Sequence, residues 1–364
     1  MLGRKLLLRS AAGGGAADPL AALVGCHAAG RALGVDLQRR AFITLLGGAT
    51  VAWPLAARAQ QMRRIGALMD IGENDSNAGT WVEAFETQLG MAGWHKGSNC
   101  EIGYQWGASN PERLARHAEQ LLQSAPDVIL VHGTIALVAL AKMKATIPIV
   151  FTSVSDPVSQ GFVASLAHPG GNITGFSNYD PNIGSKWLQV LKEIAPSGTS
   201  IAVMFNPRTS PYNASLVMPS IEAAAPTFGV HVTQASVLDD EDIRTTLAQL
   251  GSKPGSGLLV PSDPFTLERA GLITSLATSN RLSAIYAFRA FANQGGLAAY
   301  GIDLDEQLRQ AAGYVDRILK GEKPADLPVQ APTKYQLVIN LRTAKLLGLN
   351  LPPSLLATAD DVIE

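Results

Sequence analysis

The polar residues of this chain that could do chemistry stand where its apolar runs end. Asp70 closes RIGALMD, Thr134 follows DVILVH by two positions, and Ser153, Ser155 and Asp156 fall in the stretch TSVSDP. Asn206 closes IAVMFN, Asp263 closes GLLVPSD, Arg289 follows LSAIYAF, and Tyr300 and Asp303 lie in AAYGID. Hydroxyls, amides and the free N–H groups of helix starts hold carboxylates well. Asp70, Asp156, Asp263 or Asp303 could hold an ammonium, and Tyr212, Tyr286 or Tyr300 could cover a flat apolar ring. This is the chemistry of recognition. A competing reading exists for several positions, because Ser-Asp-Pro and Asp-Pro turns serve any strand-to-helix joint. Capping alone competes with ligand contact at Asp156 and Asp303. A surface position is the default for Arg289, and His132, ending an apolar run, reads as a packed histidine.

Reaction chemistry finds no such support. The chain has no G-x-x-x-x-G-K-[ST] loop, no H-E-x-x-H and no G-x-S-x-G elbow. HPGGNITG lacks dinucleotide-fold glycine spacing, and no Ser/His/Asp or Cys/His set or zinc-type cysteine spacing stands out. The expectation is therefore no catalytic residues, no cofactor and no metal.

The elements that must position these residues alternate between two periods. Continuous apolar runs at 64–70, 127–132 and 147–154 read as strands buried on both faces, and 100–106 alternates. Helical spacing carries Trp81, Val82, Phe85 and Leu89, and a helix is expected over 111–124. The pattern restarts after residue 178. A helix holds Ile183, Trp187, Val190, Leu191 and Ile194, and strands follow at 201–206, 230–237, 257–263, 282–288 and 297–301, with helices near 213–226 and 240–250. Repeated strand–helix units imply parallel sheets with helices on both faces, and two sets imply two lobes. Asp303, with Glu306 three residues on, opens a long helix as a capping box. Its stripe is Leu304, Leu308, Ala311, Val315 and Ile318. Residues 327–340 read as strand and 341–347 as helix, so the late chain crosses back between lobes. Ligands of open parallel sheets bind beyond the carboxyl ends of strands, which places the candidate residues in a cleft.

The segment QRRAFITLLGGATVAWPLAARAQQ at 38–61 has the anatomy of an export signal: Arg39 and Arg40, an apolar run from Phe42 to Leu55, and Ala57-Arg58-Ala59 before the expected cleavage. The paired arginines also fit twin-arginine export, so Sec and twin-arginine routes both stay open. Residues 1–38 read as an upstream extension. A rival lipoprotein-type box, Leu23-Val24-Gly25-Cys26, follows an apolar region broken by Asp18 and Pro19. The mature chain, about 305 residues, has room for two domains. It keeps only Cys100, so no internal disulfide forms. A net charge of -1 provides no basic footprint for nucleic acid, and no later apolar run reaches membrane-spanning length. The expected product is periplasmic and not an integral membrane protein.

Three stretches carry a family resemblance: IPIVFTSVSDPVSQGFVASLAHPGGNITGFS at 147–177, RRAFITLLGGATVAWPLAARAQQ at 39–61 and NLRTAKLLGLNLPPSLLATADDVIE at 340–364. The chain resembles ABC-transporter substrate-binding proteins related to tryptophan/tyrosine-binding importer components, over essentially all of 39–364. The resemblance implies a two-lobed α/β fold of the periplasmic-binding-protein type I class, each lobe a parallel sheet flanked by helices and joined by crossing hinge segments. It implies a first lobe over 60–178 with a helix near 303–321, and a second over 179–300 with the C-terminal segment near 328–364. By position it points to Thr134, Ser153, Ser155 and Asp156 in the first lobe, and to Asn206, Asp263 and the neighbourhood of Tyr300 in the second. The implied function is capture of an amino acid or small aromatic acid by hinge closure, with a permease and an ATPase as partners. A periplasmic sensor subunit and a secreted α/β enzyme are the competing readings.

Overall fold

A computed structural model describes residues 62–364 of the chain. The extension at 1–38 and the signal segment at 39–59 lie outside the described residues.

The first lobe is built on β1 (Arg63–Met69), β2 (Cys100–Trp106), β3 (Val128–His132), β4 (Ile149–Val154) and β5 (Ile173–Ser177), with α1 (Ala78–Met91), α2 (Pro111–Gln123) and α3 (Thr134–Lys142) between them. The strands form a five-stranded sheet in the order β2-β1-β3-β4-β5, all parallel. The apolar runs pack on both faces. Ile65, Ala67, Met69, Val128 and Leu130 meet Trp81, Phe85 and Leu89 of α1, while Leu68, Ile129 and Val131 meet Leu114 and Leu121 of α2 and Leu137 and Leu140 of α3. Each large side chain so buried contributes about 1.5–3 kcal/mol. Asn110 caps α2 by accepting from the Arg113 N–H at 2.8 Å.

The second lobe contains α4 (Ile183–Ile194), β6 (Ser200–Phe205), α5 (Met218–Phe228), β7 (His231–Ser236), α6 (Asp240–Gly251), β8 (Ser256–Val260), α7 (Pro264–Glu268), α8 (Ala270–Ser279), β9 (Ser283–Tyr286), α9 (Arg289–Asn293) and β10 (Ala298–Ile302). Next come α10 (Leu304–Leu319), β11 (Tyr335–Asn340), α11 (Leu341–Leu346), α12 (Pro353–Thr358) and β12 (Asp361–Ile363). The sheet is seven-stranded, in the order β12-β11-β10-β9-β8-β6-β7.

The chain passes between lobes three times: from β5 to α4, from β10 to α10, and from α10 to β11. Although α10 follows the second sheet in sequence, it packs on α1, β3, β4 and β5 of the first lobe. Its buried stripe is Leu304, Leu308, Ala311, Val315 and Ile318. The return decides one feature that departs from the expected all-parallel sheets. β10 leaves the second sheet at its cleft end, so a chain returning through the cleft must run the other way, and β11 pairs with β10 antiparallel. Only Tyr335–Asn340 of the expected strand 327–340 joins that sheet. Upstream, Gln330 bridges instead to Phe176 at the edge of the first sheet. The short elements α7, α9 and α12 and the strand β5 have too few residues to show a period.

Candidate ligand-binding cleft

Parallel register aligns the strand ends of the first lobe. Met69 pairs with Trp106 and His132, and His132 with Thr152. Asp70, Gly133 and Ser153 therefore stand in one row. Asp70 is 3% exposed, and its Oδ1 lies 2.8 Å from Nδ1 of His132. The indole of Trp81 covers that imidazole, with ring centroids 4.3 Å apart. Gly133 makes the approach possible: it has φ +88°, and a Cβ there would sit 1.7 Å from Asp70 Oδ2. Thr134 opens α3, and its Oγ1 accepts the Ser155 N–H at 3.1 Å.

Ser153 has φ +55°, where the β4–β5 register slips between Thr152 and Val154. Such a bulge turns a strand residue out of its ladder. The freed Ser153 N–H donates to Oε1 of Gln307 on α10 at 3.0 Å. Asn178, on the first crossing, ties the lobes together. Its Oδ1 accepts from Ser155 Oγ at 2.8 Å, and its Nδ2 donates to Ser153 Oγ at 3.2 Å and to Ser262 Oγ at 3.1 Å.

Two small cavities follow this seam. The inner one, ≈ 10 Å³, is lined by Asp70, His132, Thr134 and Ser153 from the first lobe. The other, ≈ 30 Å³, lies at the crossings and is walled by Tyr179, Trp187, Phe288 and Tyr335, with Ser155 and Asp180. Tyr212, Ser262 and Phe288 line both, so the polar and aromatic ends belong to one cleft. At these sizes each holds about one or two waters, so the lobes are shut upon one another. Tyr212 is 7% exposed and its hydroxyl donates to the Ser262 carbonyl at 3.2 Å. Burial pushes its phenol up.

Asp70, Thr134, Ser153, Ser155 and Tyr212 thus gather on the cleft. The other sequence-derived candidates have different surroundings. Asp156 caps its own turn, accepting from the Ser159 N–H at 3.1 Å. Asp263 is 1% exposed and caps α7. It accepts from the Asn206 and Phe265 N–H groups and from the Thr209 and Ser210 hydroxyls, which fills both oxygens. Asn206 closes its own turn, with Oδ1 accepting the Arg208 N–H at 2.8 Å. Arg289 pairs with Asp361 on the surface. Tyr300 stands behind the cavity, stacked on Tyr335 with centroids 5.5 Å apart. Asp303 caps α10 through the Glu306 N–H at 3.0 Å, while the Glu306 carboxylate turns to Arg309 rather than closing the box. Tyr286 is 1% exposed and stacks on Phe291 in the core.

Asn178 and Asn213 reach the cleft without having been singled out, His132 reaches it although it reads as a packed histidine, and Ser262 and Phe288 reach it from strand ends marked as candidate positions. Nothing local marks Asn178 or Asn213.

Glu268 of α7 crosses to the first lobe. Its Oε1 is buried without a hydrogen-bond partner, 3.5 Å from the point where a Gly72 Cβ would stand. Burial pushes its carboxyl up, and the Asp70 charge adds to this. Ser109, the Gly72 N–H and Arg269 pull the other way. Among the described residues no group of three or more His, Cys, Asp or Glu could hold a metal ion, and no helix is long and apolar enough to cross a membrane.

A family model for ABC transporter substrate binding proteins matches residues 54–363. A tyrosine-binding protein from Clostridioides difficile (strain R20291) is 26% identical over 267 residues, covering 73% of this chain and 76% of that protein. The structure of an ABC domain from Streptococcus pneumonia in complex with L-Trp is 24% identical and superposes with a TM-score of 0.76, covering 83% of this chain and 100% of that one. The ligand-free, open structure of a substrate-binding protein with adhesive properties from Clostridium difficile is 25% identical, covers 83% of this chain and 99% of that one, and reaches 0.61. At near-equal identity the poorer fit to the open form agrees with lobes that are shut here. The fold is the two-lobed type I class of periplasmic binding proteins. The matched span, from before the first strand to the last, shows that this chain belongs to the ABC transporter substrate binding protein family.

Proposed function

We propose that the chain is the exported, periplasmic solute-binding component of an ABC importer, which takes an aromatic amino acid or small aromatic acid into its interlobe cleft. The observation that carries this reading is the joined cleft: a polar end at Asp70, His132, Thr134 and Ser153 continues into an aromatic end at Tyr179, Trp187, Tyr212 and Phe288. Asp70 offers a carboxylate to an ammonium. The Ser153 and Thr134 hydroxyls and the first N–H groups of α3 suit a carboxylate. The aromatic end suits a ring. The name of the tyrosine-binding relative supports the same class.

A ligand touching both lobes favours the shut arrangement by its differential affinity for it. The shut pair of lobe surfaces is then what the permease and its ATPase recognise, and no bond is made or broken. The test is a thermal-shift and calorimetric panel on protein beginning at Gln60, with L-tyrosine, L-tryptophan, L-phenylalanine, 4-hydroxybenzoate and D-glucose. A ligand at 100 times its Kd stabilises by about 2.7 kcal/mol. An upward shift with an aromatic compound and none with glucose is expected. No shift with any aromatic compound at millimolar concentration overturns the assignment of the ligand class.

A further inference from the structure

The aromatic end of the cleft contains a polar atom that its surroundings leave unpaired. Residues Asn213–Val217 form a single π-helical turn ahead of α5, in which the Met218 N–H donates to the Asn213 carbonyl five residues back. Pro219 follows and has no N–H to continue a tighter ladder, so the wider turn is accommodated there. Isolated π turns recur at functional sites. Here the turn sets Tyr212, Asn213 and Val217 together on the cavity wall.

Asn213 is fully buried. Its Nδ2 donates to the Ser262 carbonyl at 3.1 Å, and its Oδ1 is buried with no partner. The amide cannot be turned round, because only its nitrogen can face that carbonyl. The Ser262 carbonyl also receives the Tyr212 hydroxyl at 3.2 Å, so it is a fixed acceptor. Asn213 Oδ1 is therefore a pure acceptor in a residue that lines a cavity shared by aromatic rings and by the polar side chains of Ser155, Asn178, Asp180 and Ser262. Tyr335, on the returning strand β11, belongs to the same cavity wall, and its hydroxyl lies beside the Asp180 carboxylate. Buried polar atoms are nearly always satisfied, so an unpaired amide oxygen on a residue lining the cavity points to an occupant that satisfies it.

We infer that Asn213 sets specificity: its Oδ1 accepts a hydrogen bond from an N–H or O–H on the ring of the ligand, and the site rejects rings without a donor. This rests on the reading of the cleft as an aromatic-ligand site. A phenol or an indole answers the amide oxygen, whereas a plain phenyl ring leaves it desolvated and unpaired. A site with a buried polar group penalises an isostere that lacks the matching group far more than an apolar pocket penalises a lost methylene.

The experiment is calorimetric titration of the wild-type protein and Asn213→Leu with L-tyrosine, L-tryptophan, L-phenylalanine and 4-fluoro-L-phenylalanine, the last being close to tyrosine in shape but without its donor. The wild type is expected to bind tyrosine or tryptophan at least about tenfold tighter than phenylalanine and 4-fluorophenylalanine. In Asn213→Leu that preference falls to within about threefold, chiefly because the phenyl ligands bind better. A merely structural role would weaken all four alike and leave the ratio standing. Equal binding of tyrosine and 4-fluorophenylalanine by the wild type, with no preference for tryptophan over phenylalanine, overturns the inference even if the variant does not fold. So does a ratio unchanged in the variant. If none of the four binds the wild type, the aromatic reading itself falls and this inference with it.

Discussion

The Gln307 side chain spans 154 positions of sequence to accept the Ser153 N–H at 3.0 Å, while its amide donates to the Ser177 carbonyl at 2.8 Å. Gln307 is on α10, the helix entered directly from the second crossing. One side chain therefore joins the hinge helix to a left-handed serine in the cleft and to the last residue of β5. Gln307→Ala leaves a buried N–H and a buried carbonyl unpaired. It is expected to lower the unfolding free energy by about 2 kcal/mol, measured by urea denaturation, and to weaken ligand binding as Ser153 relaxes. A variant with wild-type stability and affinity would show that the link is idle.

Gly133 admits no side chain. At φ +88°, with Asp70 Oδ2 1.7 Å from any added Cβ, Gly133→Ala must displace the carboxylate from His132. The expected cost is about 3 kcal/mol of stability. Loss of binding to an ammonium-bearing ligand should accompany it. Comparing titrations of L-tyrosine and its des-amino analogue separates the two effects, because only the former has the ammonium proposed to pair with Asp70.

Glu268 is expected to make closure pH-dependent. In the shut form burial raises its carboxyl above the ordinary carboxylate value, and an open form returns it to water. The raised group is a penalty on the shut form, fully present at pH above the raised value. Protonation relieves it as pH falls toward the ordinary value. Ligand affinity is thus expected to rise severalfold from pH 7.5 to pH 5. Glu268→Gln is expected to bind more tightly at pH 7.5, with the slope gone. Titrations across that range decide it, and an identical slope in the variant removes Glu268 from the account.

Asp263 is a structural hub. Asp263→Ala strands the donors of Asn206, Thr209, Ser210 and Phe265. It is expected to cost about 3 kcal/mol or more. Affinity measured below its melting temperature should stay within about threefold of wild type. A large selective loss of binding in a stable variant would place Asp263 at the ligand instead.

Much of this was legible locally. The continuous apolar runs place β1 and β3 within a residue, the helical stripe places α10 within two, and the residues read as one helical face fall on α1 and α4, because burial on a strand or helix face repeats over a few positions. Cap chemistry was readable at Asp303 for the same reason: the acceptor and the N–H it serves are three residues apart. The strand-end rule brought Asp70, Thr134, Ser153 and Ser155 to the cleft, but it could not separate them from Asp263, three of whose four donors come from one distant loop at 206–210.

What the amino-acid sequence determined by itself is the set of two-faced strands and one-faced helices, and with it two α/β lobes whose polar strand ends face a common seam. Tertiary structure alone decided which of those ends line the cleft. His132 finds Asp70 from 62 positions away, Gln307 finds Ser153 from 154, and β11 runs backward because the chain re-enters from the cleft. Local periodicity carries no information about such pairings. They are settled by the crossings between lobes, which bring distant donors and acceptors into a buried seam where leaving one unpaired is costly.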